Sequence, residues 1–136
     1  MARYTGGCLC RAVRYSIDAE PIAGRQILCH CVDCQKHTGT AFVSGMAFPA
    51  DSVVITGEMT TYTMPGGSGE PMNRRFCTRC GSPIMIDKDG TGRKLIMAGW
   101  TTSRSLSRWS ACSASRHLRG LLCLPTHRTC RDTTRD

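Results

Sequence analysis

The chain of 136 residues is poor in aromatic side chains, with three Phe, three Tyr and two Trp in all. So little aromatic bulk excludes a large self-sufficient core and implies a staple of another kind. Long hydrophobic runs are also missing, and nothing approaches the ~20 apolar residues of a membrane span. The opening MARYTGGCLC has neither an apolar signal-like stretch nor a small-residue cleavage site, which argues against an exported chain. No long segment of the first hundred residues keeps a 3.6-residue apolar period, so a helical bundle is excluded there. Clusters of Lys and Arg interleaved with aromatics are absent from the same region, so a nucleic-acid partner is not expected.

What the chain has in quantity is cysteine, ten in all. Without an export signal these read as thiolates around metal rather than as disulfides. The expectation is a reduced, soluble, cytoplasmic protein.

The formal charge of +8 is unevenly spread. Residues 1 to 100 carry 11 Lys and Arg against 8 Asp and Glu, a net of +3, whereas residues 101 to 136 carry 7 Arg against 2 Asp, a net of +5. Those last residues contain no Lys, Glu, Val, Ile, Phe, Tyr or Met, and a third of them are Ser or Thr. The expectation for 101–136 is a separate, atypical tail, either disordered or the product of a coding segment read out of frame. One amphipathic helix fits within it, placing Leu106, Trp109, Leu118, Leu121 and Leu122 on one face between about residues 104 and 124.

The body before the tail reads as mainly β. Val13, Tyr15 and Ile17 alternate with polar neighbours in residues 11–17, and AFVSGMAF at 41–48 is a second strand closed by Pro49. Residues 52–56 and 60–64 are β-branched runs around Gly57 and Glu58 and predict a hairpin. PGGSGEP at 65–71 is a mobile loop by composition, and three more short strands fall at 74–76, 84–86 and 95–98. A turn or two of helix is expected after Asp33.

Seven cysteines fall in three groups within the first 80 residues: Cys8 and Cys10; Cys29, Cys31 and Cys34; and Cys77 and Cys80. Zinc takes four tetrahedral ligands, and C-x-C or C-x-x-C spacing lets one turn of chain present two sulfurs to one ion. Neither two-cysteine group completes a site alone. Joined, Cys8, Cys10, Cys77 and Cys80 make a structural site of four thiolates that ties the start of the domain to its far end. Cys29, Cys31 and Cys34 are left with three protein ligands and an open position, the pattern of catalytic zinc. Other readings stay open at this point: a redox C-x-x-C pair, an iron–sulfur cluster on the triplet, or a fourth ligand from His30 or His37, of which His37 is the better placed. Cys112, Cys123 and Cys130 have no paired spacing.

GGCLCRAVRYSI (6–17), CHCVDCQKHTGTAF (29–42) and RRFCTRCGSPI (74–84), in this order and spacing, resemble the glutathione-dependent formaldehyde-activating enzyme family, which shares a domain with centromere protein V. The resemblance covers residues 4 to about 100. It implies a β-tent fold of stacked antiparallel sheets stapled by zinc, and two zinc ions per chain in the partition reached above. It further implies a carbon–sulfur lyase-type enzyme that joins glutathione, or a similar thiol, to formaldehyde or a related aldehyde. The alternative is a non-catalytic zinc module that binds or carries glutathione. Where the family pattern continues with an acidic turn and a small-x-x-Pro-Trp stretch, this chain reads GWTTSRSLSRW.

The implied chemistry is physically sound. A thiol that coordinates zinc gives up its proton and becomes a nucleophile. Three thiolates already leave the ion formally negative, so activating a thiol suits it better than polarising a carbonyl. Glutathione carries two carboxylates, and Arg25, Lys36, Arg74 and Arg75 are the cations near the motifs able to receive them. The GTAF turn at 39–42 offers backbone donors.

Overall fold

The structure, a computed structural model, describes residues 2–97 together with Ser110 and Ala111. It is mainly β, with two antiparallel sheets. The smaller sheet joins β1 (Tyr4–Gly7), β2 (Arg14–Ile17) and β5 (Val53–Thr56) in the order β1-β2-β5. The larger has seven strands in the order β10-β3-β4-β9-β8-β7-β6, formed by β3 (Gln26–Cys29), β4 (Val43–Pro49), β6 (Met59–Pro65), β7 (Pro71–Cys77), β8 (Pro83–Asp87), β9 (Arg93–Met97) and β10 (Ser110–Ala111). The short β10 runs parallel to β3. One helix, α1 (Val32–Thr38), lies between β3 and β4, with Asp33 in its first turn and Lys36 and His37 in its last, as the helix dipole favours.

Side-chain alternation divides the larger sheet into two faces. Met46 and Phe48 of β4 and Ile96 of β9 point toward the small sheet and pack with Val13, Tyr15, Ile17 and Val53 into the main core. Phe48 is fully buried, its ring centroid 5.4 Å from that of Tyr4. Val43 of β4, Ile86 of β8 and Met97 of β9 point to the other face and form a second cluster with Cys34 of α1. A register shift between Arg75 and Phe76 leaves Ile84 unpaired opposite β7, so Ile84 and Met85 both serve the main core. The domain is therefore layered: small sheet, large sheet, then helix.

The hairpin expected at 52–64 is not formed. β5 pairs with β2 and β6 with β7, so the chain leaves one sheet for the other at Gly57. Gly57 has φ +95°, and a Cβ there would lie 2.1 Å from the carbonyl oxygen of Ala12. Only glycine passes this crossing without distortion. The segment 65–71, a mobile loop by composition, is instead the hairpin between β6 and β7, which stay paired out to Pro65 and Pro71. Its tip is closed by the Gly66 N–H bonded to the Glu70 carbonyl at 2.8 Å. Strands β1 and β3 have no counterpart in the sequence reading. Of the tail, Ser110 and Ala111 are strand rather than helix, and the rest of the disordered, out-of-frame or helical reading of 101–136 lies outside the described residues, as do Cys112, Cys123 and Cys130.

Candidate functional site

Two chain reversals carry the first cysteine group. After β1, Arg11 takes a left-handed φ of +67°, and the Arg11 N–H bonds the Cys8 carbonyl at 3.1 Å. This turn aims the Val13 N–H at Cys8 Sγ, 3.1 Å away. At the end of β7 the reversal is repeated: the Gly81 N–H bonds the Cys77 carbonyl at 2.9 Å, with Gly81 at φ +70°. The Ser82 hydroxyl accepts the Leu9 N–H at 3.1 Å and lies 3.2 Å from Cys80 Sγ, so it spans both turns. Cys8 Sγ is 3.5 Å from Cys10 Sγ, which is 3.7 Å from Cys77 Sγ, and all four sulfurs lie within 4.8 Å of one another. A tetrahedron with metal–sulfur bonds of ~2.3 Å has edges of about 3.8 Å. The four sulfurs thus stand at the spacing a tetrahedral ion requires.

Their protonation suits cation uptake. The Ser82 hydroxyl, then the Cys10 and Ser82 amides, lower the Cys80 thiol to about 5. Burial works against ionisation of Cys8, but the Val13 amide and the thiols of Cys10 and Cys77 prevail and lower it. Cys10 goes the other way, to about 11: the Ala12 amide lowers it, while desolvation and the neighbouring thiols raise it further. The metal-free group is an anionic cluster that still holds protons, which a bound cation displaces.

The second group sits on the opposite face of the large sheet. Cys29 ends β3, Cys31 caps the N-terminus of α1, and Cys34 is the buried residue of that helix. The Cys29 thiol donates to Cys31 Sγ at 3.5 Å, and the three sulfurs lie within 4.8 Å of one another. Burial raises the Cys29 and Cys34 thiols. Cys31 is lowered, because its own burial is outweighed by the Cys34 amide and the two neighbouring thiols. No fourth His, Cys, Asp or Glu among the described residues joins this group. His30 instead packs its ring against Phe42, centroids 5.3 Å apart. His37 stays apart from the sulfurs; its buried Nε2 has no partner, and burial, then the charge of Arg74, lowers its pKa.

Two cavities share residues with the apolar cluster around Cys34, and none of the three cysteines lines either. One of about 310 Å³ is lined by Thr38, Thr40, Phe42, Val43, Ser44, Pro83 and Met97, and so includes part of the GTAF turn. The other, of about 260 Å³, is lined by apolar Ile27, Ala47, Met72, Ile86 and Leu95 and by polar Ser68, Thr91, Asp87, Arg25, Lys88 and Arg93, of which Lys88 pairs with Glu70 at 3.5 Å. Met72, Ile86 and Leu95 also belong to the cluster that buries Cys34. The four cations singled out in the sequence separate here. Arg25 lines this cavity and Lys36 is exposed on α1. Arg75 is held by Asp87 through two N–H···O bonds of 3.1 Å, and Arg74 is buried. Lys88 and Arg93 escape a reading of the sequence, since nothing local marks them. Register does so: Arg93 lies opposite Pro49 and Leu95 opposite Ala47, on the face toward the triplet.

These features define a class: a small, mainly β protein with one four-sulfur and one three-sulfur cluster, each able to hold a metal ion. All seven cysteines concerned are free of disulfides. The chain belongs to the glutathione-dependent formaldehyde-activating enzyme family, whose sequence profile it matches over residues 3–113. The match runs past the body of the domain and beyond β10. Among curated proteins, none matches the chain. Among the described residues, no helix is long and apolar enough to cross a membrane.

Proposed function

We propose that this chain is a carbon–sulfur lyase-type enzyme that reversibly joins glutathione, or a similar thiol, to formaldehyde or a related small aldehyde. The observation that carries the reading is the three-sulfur group of Cys29, Cys31 and Cys34, whose apolar cluster shares Met72, Ile86 and Leu95 with a cavity that also bears Arg25, Lys88 and Arg93. An all-thiolate donor set at tetrahedral spacing suits zinc, and two ions per chain follow, one on Cys8, Cys10, Cys77 and Cys80 and one on the triplet. Zinc on three thiolates would supply an open position at which a thiol loses its proton. Arg25 and Arg93 receive the carboxylates of the tripeptide, and the apolar lining receives its stem. Thr40 and Phe42 of the GTAF turn line the second cavity. In the reaction the sulfur lone pair forms the S–C bond, the carbonyl π pair moves to oxygen, and that oxygen takes up the proton released by the thiol. The reverse step breaks the C–S bond, so no oxidant or reductant is needed. The thiols are consistent with a reducing compartment such as the cytoplasm.

Exchange spectroscopy of formaldehyde and glutathione, with and without the metal-loaded protein, tests this. The expected result is faster interconversion of free and hydroxymethylated glutathione. Binding of glutathione without acceleration would leave a glutathione-binding module in its place.

A further inference from the structure

Arg74 is only 5% exposed, and its Nε has no hydrogen-bond partner. Among the described residues its side chain makes neither an ion pair nor a hydrogen bond, whereas that of its neighbour Arg75 is engaged by Asp87. A guanidinium keeps its proton at any ordinary pH, so it cannot escape burial by becoming neutral. A buried, unpaired cation is strongly unfavourable and implies that an anion belongs nearby.

Sheet register says where that anion belongs. Arg74 stands opposite Ile86 across β7 and β8. Two residues before it on the same face is Met72, and both Ile86 and Met72 pack in the cluster that buries Cys34. Its charge reaches His37, one helical turn beyond Cys34 on α1. The carboxylates near this face are otherwise placed: Asp87, which lines the neighbouring cavity, is held by Arg75, Asp89 accepts from the Asn73 amide, and Asp33 is exposed in the first turn of α1. The anionic group of this layer is therefore the sulfur triplet itself. A divalent ion on three thiolates carries a net −1, which becomes −2 when a fourth thiolate arrives.

We propose that Arg74 is the buried counter-charge of the Cys29, Cys31 and Cys34 centre, and that it favours uptake of a substrate as thiolate at the fourth position. This rests on the thiol-binding reading above. Arg74 is a positioning residue in this account and touches no reacting atom. It acts through the field it imposes on the sulfur group across apolar side chains, which screen less than water. The same placement separates it from Arg25 and Arg93, whose partners would be carboxylates in the open cavity.

The test uses the full chain with cobalt(II) in both clusters and 2-mercaptoethanol, a thiol with no carboxylate, its binding followed by the thiolate-to-cobalt absorption. Arg74→Met keeps the stem and removes the charge. It should weaken 2-mercaptoethanol binding about 10- to 100-fold, the range typical of groups just outside a metal's ligands. Arg74→Lys should recover most of the loss. Urea unfolding supplies a second readout. With the triplet stripped of metal by chelator, Arg74→Met should be at least as stable as the parent, because an unpaired buried charge has been replaced by an apolar chain. Weakened glutathione binding with unchanged 2-mercaptoethanol binding would overturn the proposal and make Arg74 a carboxylate receptor. Equal destabilisation of stripped and loaded protein, or failure of Arg74→Met to fold, would overturn it in favour of a purely structural role. If the parent protein binds neither thiol, the thiol-binding reading falls first and the proposal with it.

Discussion

Replacing one sulfur of each cluster should give two very different proteins. Cys77→Ser removes a ligand from the four-sulfur group, whose members Cys10 and Cys77 are 67 residues apart. If the ion leaves with that ligand, a tie across a loop of that length, treated as a cross-link, is released, which is worth about 4.4 kcal/mol. Cys77 is also 1% exposed in the main core, so the serine hydroxyl is left buried at a further cost of about 1 to 3 kcal/mol. Domains of this kind have stabilities of about 5 to 15 kcal/mol, so the loss removes most of the reserve. Cys77→Ser should be largely unfolded near 37 °C. In the triplet, Cys29 and Cys31 are two residues apart, so metal there constrains almost no chain. Cys31→Ser should melt within about 1 kcal/mol of the parent, the usual range for a partly exposed position, while losing the chelator-labile metal. Circular dichroism melts with metal stoichiometry on the same samples measure both effects. Equal melting of the two variants, or unfolding of Cys31→Ser alone, would refute the division into a structural and an exchangeable centre.

Other expectations follow from single features. Gly57→Ala places a Cβ against the Ala12 carbonyl at positive φ and should destabilise by at least about 1 to 3 kcal/mol, seen as a lower urea midpoint with unchanged slope. Arg25→Ala should weaken glutathione binding while leaving binding of 2-mercaptoethanol unchanged; calorimetry with both thiols checks it, and parallel losses would remove Arg25 from the carboxylate site. In metal-free protein near pH 6.5, Cys80 at about 5 is thiolate and Cys10 at about 11 is thiol, so brief alkylation should label Cys80 ahead of Cys10 by peptide mass spectrometry, and metal should protect both. Burial and the charge of Arg74 depress His37 below its ordinary 6.5, so the unfolded chain binds the extra proton there; stability should rise with pH through the window just below 6.5, and His37→Gln should flatten that rise.

The cysteine groups were legible because ligand pairs are local: two residues of spacing suffice to turn both sulfurs inward, and only the joining of Cys8 and Cys10 to Cys77 and Cys80 needed a counting argument. The structure brings those four sulfurs together and keeps the triplet apart. Strands β2 and β4 were legible through alternation and aliphatic runs. β1 was not, since the two glycines of YTGG break the strand signal of Tyr4 and Thr5, and it is strand because Gly7 and its neighbours lie against β2. β3 escaped because QILC offers two apolar residues before its sulfur. The false hairpin at Gly57 and Glu58 has an instructive cause. Two β-branched runs around a glycine describe a sheet crossing as well as a turn, and only the contact with Ala12 separates them. Arg74 was legible as a cation but not as a buried one, because burial depends on which face of β7 meets α1.

The hydroxyl of Ser82, which touches both halves of the four-sulfur group, sets an order in time. Cys8 and Cys10 leave the ribosome early, yet their partners Cys77 and Cys80 and the bridging Ser82 come some seventy residues later. At synthesis rates of roughly 5 to 20 residues per second, the first pair waits roughly 3 to 13 s with only two of its four ligands. During that interval the nascent chain presents an incomplete chelate that any thiophilic ion or oxidant can reach. The small sheet, whose last strand is β5, is complete within the first 56 residues and can shelter Cys8 before the rest arrives. An ion held by all four sulfurs would therefore have to wait for the later pair to be synthesised, whatever its affinity for the finished site.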